Sequence, residues 1–146
     1  RVMELLTDEK VAELQSLGEM AQFRSDVYAD LEQVIERDSL KQECAKWSES
    51  RQQLADCVAD ILDSMGHLPR VPDPEAETLG EWFSRAKAGL SQRGESSLLE
   101  DCAEADEVLL QQLDTVLAQQ PSEDLEQQRQ QLKQDLARIQ AIAAQS

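Results

Sequence analysis

Apolar residues spaced three or four positions apart run through most of this chain, and this spacing limits its fold more than any other feature. One such stripe comprises Leu14, Leu17, Ala21, Tyr28, Leu31 and Ile35. An α-helix has 3.6 residues per turn, so the spacing places these side chains on one face. Glycine and proline, which interrupt helices, number only five and four in the whole chain,. The pattern predicts an all-α fold, and no segment alternates as a strand would.

Breaks in the stripes divide the chain into four long helices and a short one, predicted at about residues 7–36, 39–65, 95–119, 122–144 and 75–90,. We expect Thr7 to open a partial capping box and Asp38 to cap the second helix. Gly66 is expected to end that helix in the left-handed conformation. The length of the chain predicts one domain covering residues 1–146.

The lengths of the breaks predict how the helices connect. A connection of two or three residues makes neighbouring helices antiparallel, so the first two long helices form one hairpin and the last two form another. The segment from Gly66 to Arg93 contains three prolines and the short helix, and it joins the hairpins as a crossover. Two antiparallel hairpins with one long crossover are the connectivity of a ferritin-like four-helix bundle.

Three short motifs resemble a bacterial family of ferritin-like four-helix-bundle proteins whose function is not assigned. R-Q-Q-L-A at residues 51–55, followed by M-G-H-L-P at residues 65–69, is similar to that family's R-A-x-x-A-x-E-L … L-G-G-x-P region. L-G-E-W-F-S-R-A-K at residues 79–87 is similar to H-R-x-W-x-x-L-K, and L-E-D-C at residues 99–102 is similar to L-E-E-C. The resemblance implies the fold and a bacterial source, and it implies no activity. Ala103 replaces the family's first Glu after the Cys, and Asp106 stands at the next acidic position.

The charge of the chain is strongly acidic, and this limits its partners. Thirty acidic residues against fourteen basic ones give a formal net charge of −16. Phosphate backbones and anionic lipid surfaces attract proteins through Lys and Arg, so we expect neither nucleic acid nor membrane as a partner. The acidity either keeps a small bundle in solution or forms a docking surface for a basic partner or for cations.

The three cysteines indicate reduced thiols. Cys44, Cys57 and Cys102 are odd in number, form no C-x-x-C pair, and fall among apolar residues of predicted helices,. No apolar run approaches the ~20 residues of a membrane span, and no signal peptide is visible. These observations together predict a cytoplasmic protein.

The side chains needed for common active sites are scarce. A di-iron site in such a bundle uses carboxylates from all four helices and two Glu-x-x-His pairs. The chain has one histidine, His67, no Glu-x-x-His, and no glycine-rich phosphate loop,. Asp26 with Asp30, and Asp56 with Asp60, lie one turn apart and are interpreted as solvated faces. The sequence therefore predicts no catalytic, cofactor-binding or metal-binding residue and favours a non-enzymatic role.

Charged residues interrupt three of the apolar stripes at what should be one level of the bundle. Arg24 lies between Ala21 and Tyr28, Arg51 lies in the second helix, and Asp106 lies in the third long helix. We predict a mid-bundle polar layer in which Asp106 pairs with one or both arginines. In the alternative, these side chains sit at the edge of the stripe and extend to water.

Trp82 and Phe83 form an aromatic pair on the crossover helix. They are interpreted as an interaction surface, or else as residues that close one end of the core. The sequence thus favours a non-catalytic helical module of ferritin-like fold, without a di-metal site or cofactor, that binds a protein partner or a second copy of itself. The alternative is a ferritin-like metal-binding or oxidoreductase protein with a carboxylate-only site.

Overall fold

A computed structural model describes residues 2–69 and 77–145, and the side chains of residues 2–7, 77–79, 82 and 83 lie outside that description. The described residues form five α-helices: α1 (Val2–Val34), α2 (Asp38–Ser64), α3 (Glu77–Arg93), α4 (Glu95–Gln119) and α5 (Glu123–Gln145). Within these ranges there is no strand. The predicted all-α class is confirmed, and the five predicted helices are present with shifted ends.

Two predicted helix caps are wrong. α1 begins at Val2, so Thr7 lies inside the helix and does not cap it. The residues before Thr7 include no Gly or Pro, and nothing in them stops the helix,. The N-cap of α2 is Arg37, whose side chain makes no capping hydrogen bond, and Asp38 is the first helical residue. Its carboxylate still lies in the first turn, where the helix dipole favours a negative charge.

Two helix ends follow the local chemistry of their residues. Gly66 has φ of 78°, the left-handed conformation expected after α2,. The hydroxyl of Ser122 accepts a hydrogen bond from the Leu125 N–H at 3.2 Å and so caps α5,. Of the predicted proline-rich crossover, Pro72 and Pro74 lie outside the described residues.

The four long helices pack as a bundle in which each contacts two others. α1 packs against α2 and α4, and α5 packs against the same two helices. α3 lies against α1 and α4. None of the helices in the described ranges is long and apolar enough to cross a membrane.

Two apolar clusters fill the two halves of the bundle and fix the direction of each helix. One combines the C-terminal halves of α1 and α5 with the N-terminal halves of α2 and α4, and it includes Tyr28, Trp47, Leu99 and Ile139. The other combines the opposite halves and is aliphatic, with Leu14, Val58, Leu113 and Leu132 among its members. The four packed pairs of long helices are therefore antiparallel: α1 with α2, α4 with α5, α1 with α4, and α2 with α5. Burial of each large aliphatic side chain contributes about 1.5–3 kcal/mol.

A buried polar layer as the candidate functional site

Asp106 lies between the two apolar clusters, at the centre of the bundle. Its side chain is completely buried, and both of its oxygens accept hydrogen bonds. Oδ1 accepts from Arg24 Nε at 3.2 Å and from Arg51 Nε at 3.3 Å. Oδ2 accepts from Arg51 Nη2 at 3.1 Å and from the hydroxyl of Tyr28. A carboxylate with this many donors is stabilised in its charged form.

Arg51 connects three helices through one guanidinium group. Besides Asp106 on α4, its Nη1 donates to Asp135 Oδ2 on α5 at 3.0 Å and to Ser50 Oγ on α2 at 3.1 Å. Asp135 accepts a further hydrogen bond from Gln131 Nε2 at 2.9 Å. The planar fork of arginine suits such contacts with two carboxylates, whereas a lysine would supply a single point charge.

Tyr28 contacts both guanidinium groups of the layer as well as the ring of Trp47. The Cζ atoms of Arg24 and Arg51 lie 5.0 and 5.7 Å from its ring centroid, within the range of cation–π attraction,. The ring of Trp47 meets the ring of Tyr28 edge to face, with centroids 5.6 Å apart,. The phenol therefore contacts cations through its ring and an anion through its hydroxyl.

The positive and negative charges of this polar layer are balanced. The layer consists of Arg24, Tyr28, Arg51, Asp106 and Asp135. Two arginines face two aspartates, so the buried group carries no formal net charge. Arg24 Nη2 also reaches the backbone carbonyl oxygen of Cys102 at 3.5 Å. A buried ion is tolerated when it is paired and its hydrogen-bonding groups are occupied, and both conditions hold for Asp106.

The surroundings shift the pKa values of Asp106 and Tyr28 in the directions that keep the carboxylate charged and the phenol neutral. Burial alone would raise the pKa of Asp106, but the positive charges of Arg51 and Arg24 and the hydrogen bonds from Arg51 and Tyr28 hold it below its ordinary value. Burial, together with the negative charge of Asp106, raises the pKa of Tyr28 well above its ordinary value. The phenol therefore stays neutral, and it remains a hydrogen-bond donor.

The structure brings Arg24, Arg51 and Asp106 together in one layer, and it places the other residues singled out in the sequence elsewhere. His67 is exposed just after α2, where its backbone N–H donates to the carbonyl oxygen of Leu62. The side chains of Trp82 and Phe83 lie outside the described residues.

The paired aspartates lie toward the surface. Asp26 accepts a hydrogen bond from Gln22 at 3.2 Å, and Asp56 accepts one from Gln52 at 3.0 Å. The two glutamine amides also bond to each other across α1 and α2, at 2.8 and 3.0 Å. Among the described residues, no group of three or more His, Cys, Asp or Glu side chains is arranged to hold a metal ion.

Comparison with known proteins gives no neighbour for this arrangement: no protein-family model, no curated protein and no solved structure matches the chain.

Two members of the layer were missed by sequence reasoning. Tyr28 belongs to the apolar stripe of the first helix. Its position in the stripe predicts that the ring is buried, but it does not predict where the hydroxyl points. Asp135 directly precedes Leu136 of the α5 stripe and resembles a solvated carboxylate at the edge of that stripe. Its Gln131 partner one turn earlier is a weak signal, because a hydrogen bond between residues four apart is common on exposed helix faces.

Proposed function

We propose that this chain is a non-catalytic helical module of ferritin-like fold, without a di-metal site, that binds a protein partner or a second copy of itself. The observation that carries the proposal is the commitment of both central carboxylates, Asp106 and Asp135, to the guanidinium group of Arg51. The bundle centre, where such folds hold metal, is here occupied by cations that belong to the protein.

The directions of the helices support the ferritin-like assignment. α1 and α5 run one way, α2 and α4 run the other way, and both hairpins have short connections. The connection from α2 to α4 starts at one end of the bundle and finishes at the other, which agrees with a long crossover. The motif resemblance supports the same fold and a bacterial, cytoplasmic protein.

A carboxylate-only metal site at the bundle centre is the alternative function, and the contacts of Asp106 count against it. A divalent cation would have to displace two guanidinium groups and the Tyr28 hydroxyl from this carboxylate. The displaced arginines would then remain buried without their partner, which is costly. Hard divalent cations also prefer several oxygen ligands, and here the oxygens already bind internal donors.

The proposed interaction surface is the segment of α3 that carries Trp82 and Phe83. Large aromatic residues are enriched at protein interfaces, because each supplies much apolar area at a low cost in conformational entropy. The net charge of −16 favours a partner with a basic surface and disfavours nucleic acid and anionic membranes,. No cofactor is part of the proposal.

One set of measurements tests this function. Sedimentation or light scattering gives the mass of the wild type and of a Trp82→Ser, Phe83→Ser variant over a range of concentrations. The proposal expects wild-type self-association that the variant loses while it keeps the wild-type unfolding midpoint. A matched variant, Val108→Ser, removes an exposed apolar side chain from α4 and is expected to leave association unchanged.

Other outcomes of these measurements oppose the proposal. A Trp82→Ser, Phe83→Ser variant with a lowered unfolding midpoint and unchanged association would assign the aromatic pair to the core. Elemental analysis after incubation with Fe(II), Mn(II) and Zn(II) tests the alternative function. Stoichiometric metal that survives dialysis, and that Asp106→Asn abolishes, would replace the interaction module with a metal-binding protein.

A further inference from the structure

The buried charges of the bundle are segregated by hairpin. Among the described residues, the buried cations are Arg24 and Arg51, both on the α1–α2 hairpin. The buried anions are Asp106 and Asp135, both on the α4–α5 hairpin. Each hairpin alone would therefore bury charges of one sign.

Every ion pair of the polar layer crosses from one hairpin to the other. Arg24 pairs with Asp106 at 3.2 Å, and Arg51 pairs with Asp106 at 3.1 Å and with Asp135 at 3.0 Å. Pairs nearer the surface also cross between the hairpins, such as Arg138 with Glu43, whose side chains are 54% and 20% exposed, but solvent weakens them,. Within the described part of the chain, the ion pairs of the layer are the ones that join oppositely charged, buried residues of the two hairpins.

The aliphatic cluster on one side of the layer discriminates much less between pairings. The cluster that contains Leu14, Val58 and Leu113 is built from Leu, Val and Ala on all four helices. Such cores accept rearranged contacts provided that the total side-chain volume is conserved. A protein with a rearranged core loses its unique packing arrangement before it loses its stability. Two copies of the α1–α2 hairpin would bury a similar aliphatic surface, but they would place four arginines together without a carboxylate.

We propose that the polar layer is a pairing code: it allows the cation-bearing α1–α2 hairpin to associate only with an anion-bearing α4–α5 hairpin, at the one level where the charges meet. Pairing between like hairpins leaves buried charges without partners, and a slipped pairing separates Arg51 from both aspartates. Both alternatives are disfavoured because an uncompensated charge in the core is expensive. This role does not depend on what the outer surface binds.

A neutral apolar layer tests the code in the full chain. The variant replaces all five members with apolar side chains: Arg24→Met, Tyr28→Phe, Arg51→Met, Asp106→Leu and Asp135→Leu. Formal net charge is unchanged by these substitutions. We expect helical circular dichroism and an unfolding midpoint at or above that of the wild type, because apolar replacement of a buried ion pair is often neutral or stabilising. We also expect more than one mass by light scattering and more than one set of amide cross-peaks.

The matched control removes a pair nearer the surface, Glu43 with Arg138, which joins α2 and α5 as the pair of Arg51 and Asp135 does. Glu43→Leu with Arg138→Met is expected to keep the single set of cross-peaks of the wild type. One mass and one set of cross-peaks in the five-fold variant would overturn the pairing code.

A milder variant keeps the test decisive if the five-fold variant loses its helical signal. Arg51→Met with Asp135→Leu removes the pair between these two residues and the contact of Arg51 with Asp106, and it keeps Asp106 paired with Arg24. We expect it to show a second mass or a second set of cross-peaks that Glu43→Leu, Arg138→Met lacks, and identical spectra for the two variants would overturn the proposal. Neither result depends on whether Trp82 and Phe83 bind a partner.

Discussion

Arg51 holds Asp106 through two parallel hydrogen bonds, Nε to Oδ1 at 3.3 Å and Nη2 to Oδ2 at 3.1 Å, and their side chains are 1% and 0% exposed. This bidentate geometry joins α2 to α4, two helices that share no packed interface. The pair therefore spans the diagonal of the bundle. A contact across the diagonal constrains all four helices, because neither partner can shift without displacing the helices between them.

Removal of Asp106 should destabilise the fold strongly. Asp106→Ala deletes the carboxylate that Arg24 and Arg51 share, and it leaves one buried carboxylate, Asp135, for two buried arginines. Breaking a buried ion pair from one side costs about 3–5 kcal/mol, so we expect the free energy of unfolding in urea to fall by about that amount.

The control for this measurement is an ion pair nearer the surface, between Glu43 and Arg138. Glu43→Ala removes the acceptor of Arg138, whose side chain is 54% exposed, and should change the free energy of unfolding by less than about 1 kcal/mol,. Equal losses for Asp106→Ala and Glu43→Ala would show that the buried layer contributes no more than a surface pair.

Acid should weaken the contribution of Asp106. Its folded pKa lies below its ordinary value, so its contribution is fully present above the unfolded pKa of about 3.9 and is lost as the pH falls through the folded pKa,. Asp106→Asn carries no charge to titrate. We therefore expect the difference in urea midpoint between wild type and Asp106→Asn to be largest near neutral pH and to narrow below about pH 4. A difference that stays constant into acid would contradict the lowered pKa.

Tyr28 should resist ionisation until the bundle unfolds. It is the one tyrosine of the chain, so phenolate absorbance reports on it alone. Its folded pKa is raised by burial and by Asp106, which means that the protonated form stabilises the fold until the pH passes that raised value,. We expect no phenolate signal from folded protein near pH 10, where the urea-unfolded chain is about half ionised. A native titration that matches the unfolded one would refute the buried hydrogen bond to Asp106.

The sequence locates three members of the layer because a helical period can be extrapolated along a stripe. The helical period places an apolar residue at the positions of Arg24, Arg51 and Asp106. The burial of these three side chains can therefore be predicted from the spacing. Asp135 lies beside its stripe, and its burial depends on Arg51 reaching it from another helix. The partner of the Tyr28 hydroxyl likewise depends on three-dimensional packing. Spacing therefore gives the level of the layer, but not the hydrogen bonds within it.

The helix ends show a similar division. Gly66 adopts the left-handed backbone conformation after α2. Glycine tolerates this conformation, so the end of α2 can be predicted from the residue type alone,. The start of α1 was misplaced because Thr7 has the chemistry of a cap but is preceded by good helix formers, which allow the helix to extend to Val2,.

The three cysteine thiols should differ in their accessibility to a thiol reagent, and all three should react slowly with it. Cys57 is half-buried, and burial, Asp124 and Asp60 raise its pKa to about 11. Cys44 is buried with a pKa raised to about 12, and the pKa of buried Cys102 is also raised. Because the thiolate is the reactive form, we expect slow modification of Cys57 by an aromatic disulfide near neutral pH, and of the other two only on unfolding. Cys57→Ser should remove the slow native phase, and persistence of that phase would place an exposed thiol elsewhere.

Gly18 should be required where α1 packs against Val58 of α2. A Cβ atom added at this position would lie 3.1 Å from Val58 Cγ1, closer than ordinary van der Waals contact. Alanine is the better helix former by about 1 kcal/mol, so crowding and helix propensity act in opposite directions. Val58 is fully buried, and its β-branched side chain has little rotamer freedom in a helix,. We expect crowding to prevail and Gly18→Ala to lower the free energy of unfolding by about 1–3 kcal/mol.

A double-mutant cycle separates the two effects at Gly18. In a Val58→Ala background the obstructing methyl groups are absent, so Gly18→Ala should become neutral or stabilising by up to about 1 kcal/mol. The control is Gly80→Ala on α3, where an added Cβ atom meets no neighbour within 4 Å, and it should be neutral or stabilising in either background. If Gly18→Ala stabilises the wild type as Gly80→Ala does, then α1 and α2 can separate without cost, and the close approach of Gly18 to Val58 does not constrain the hairpin.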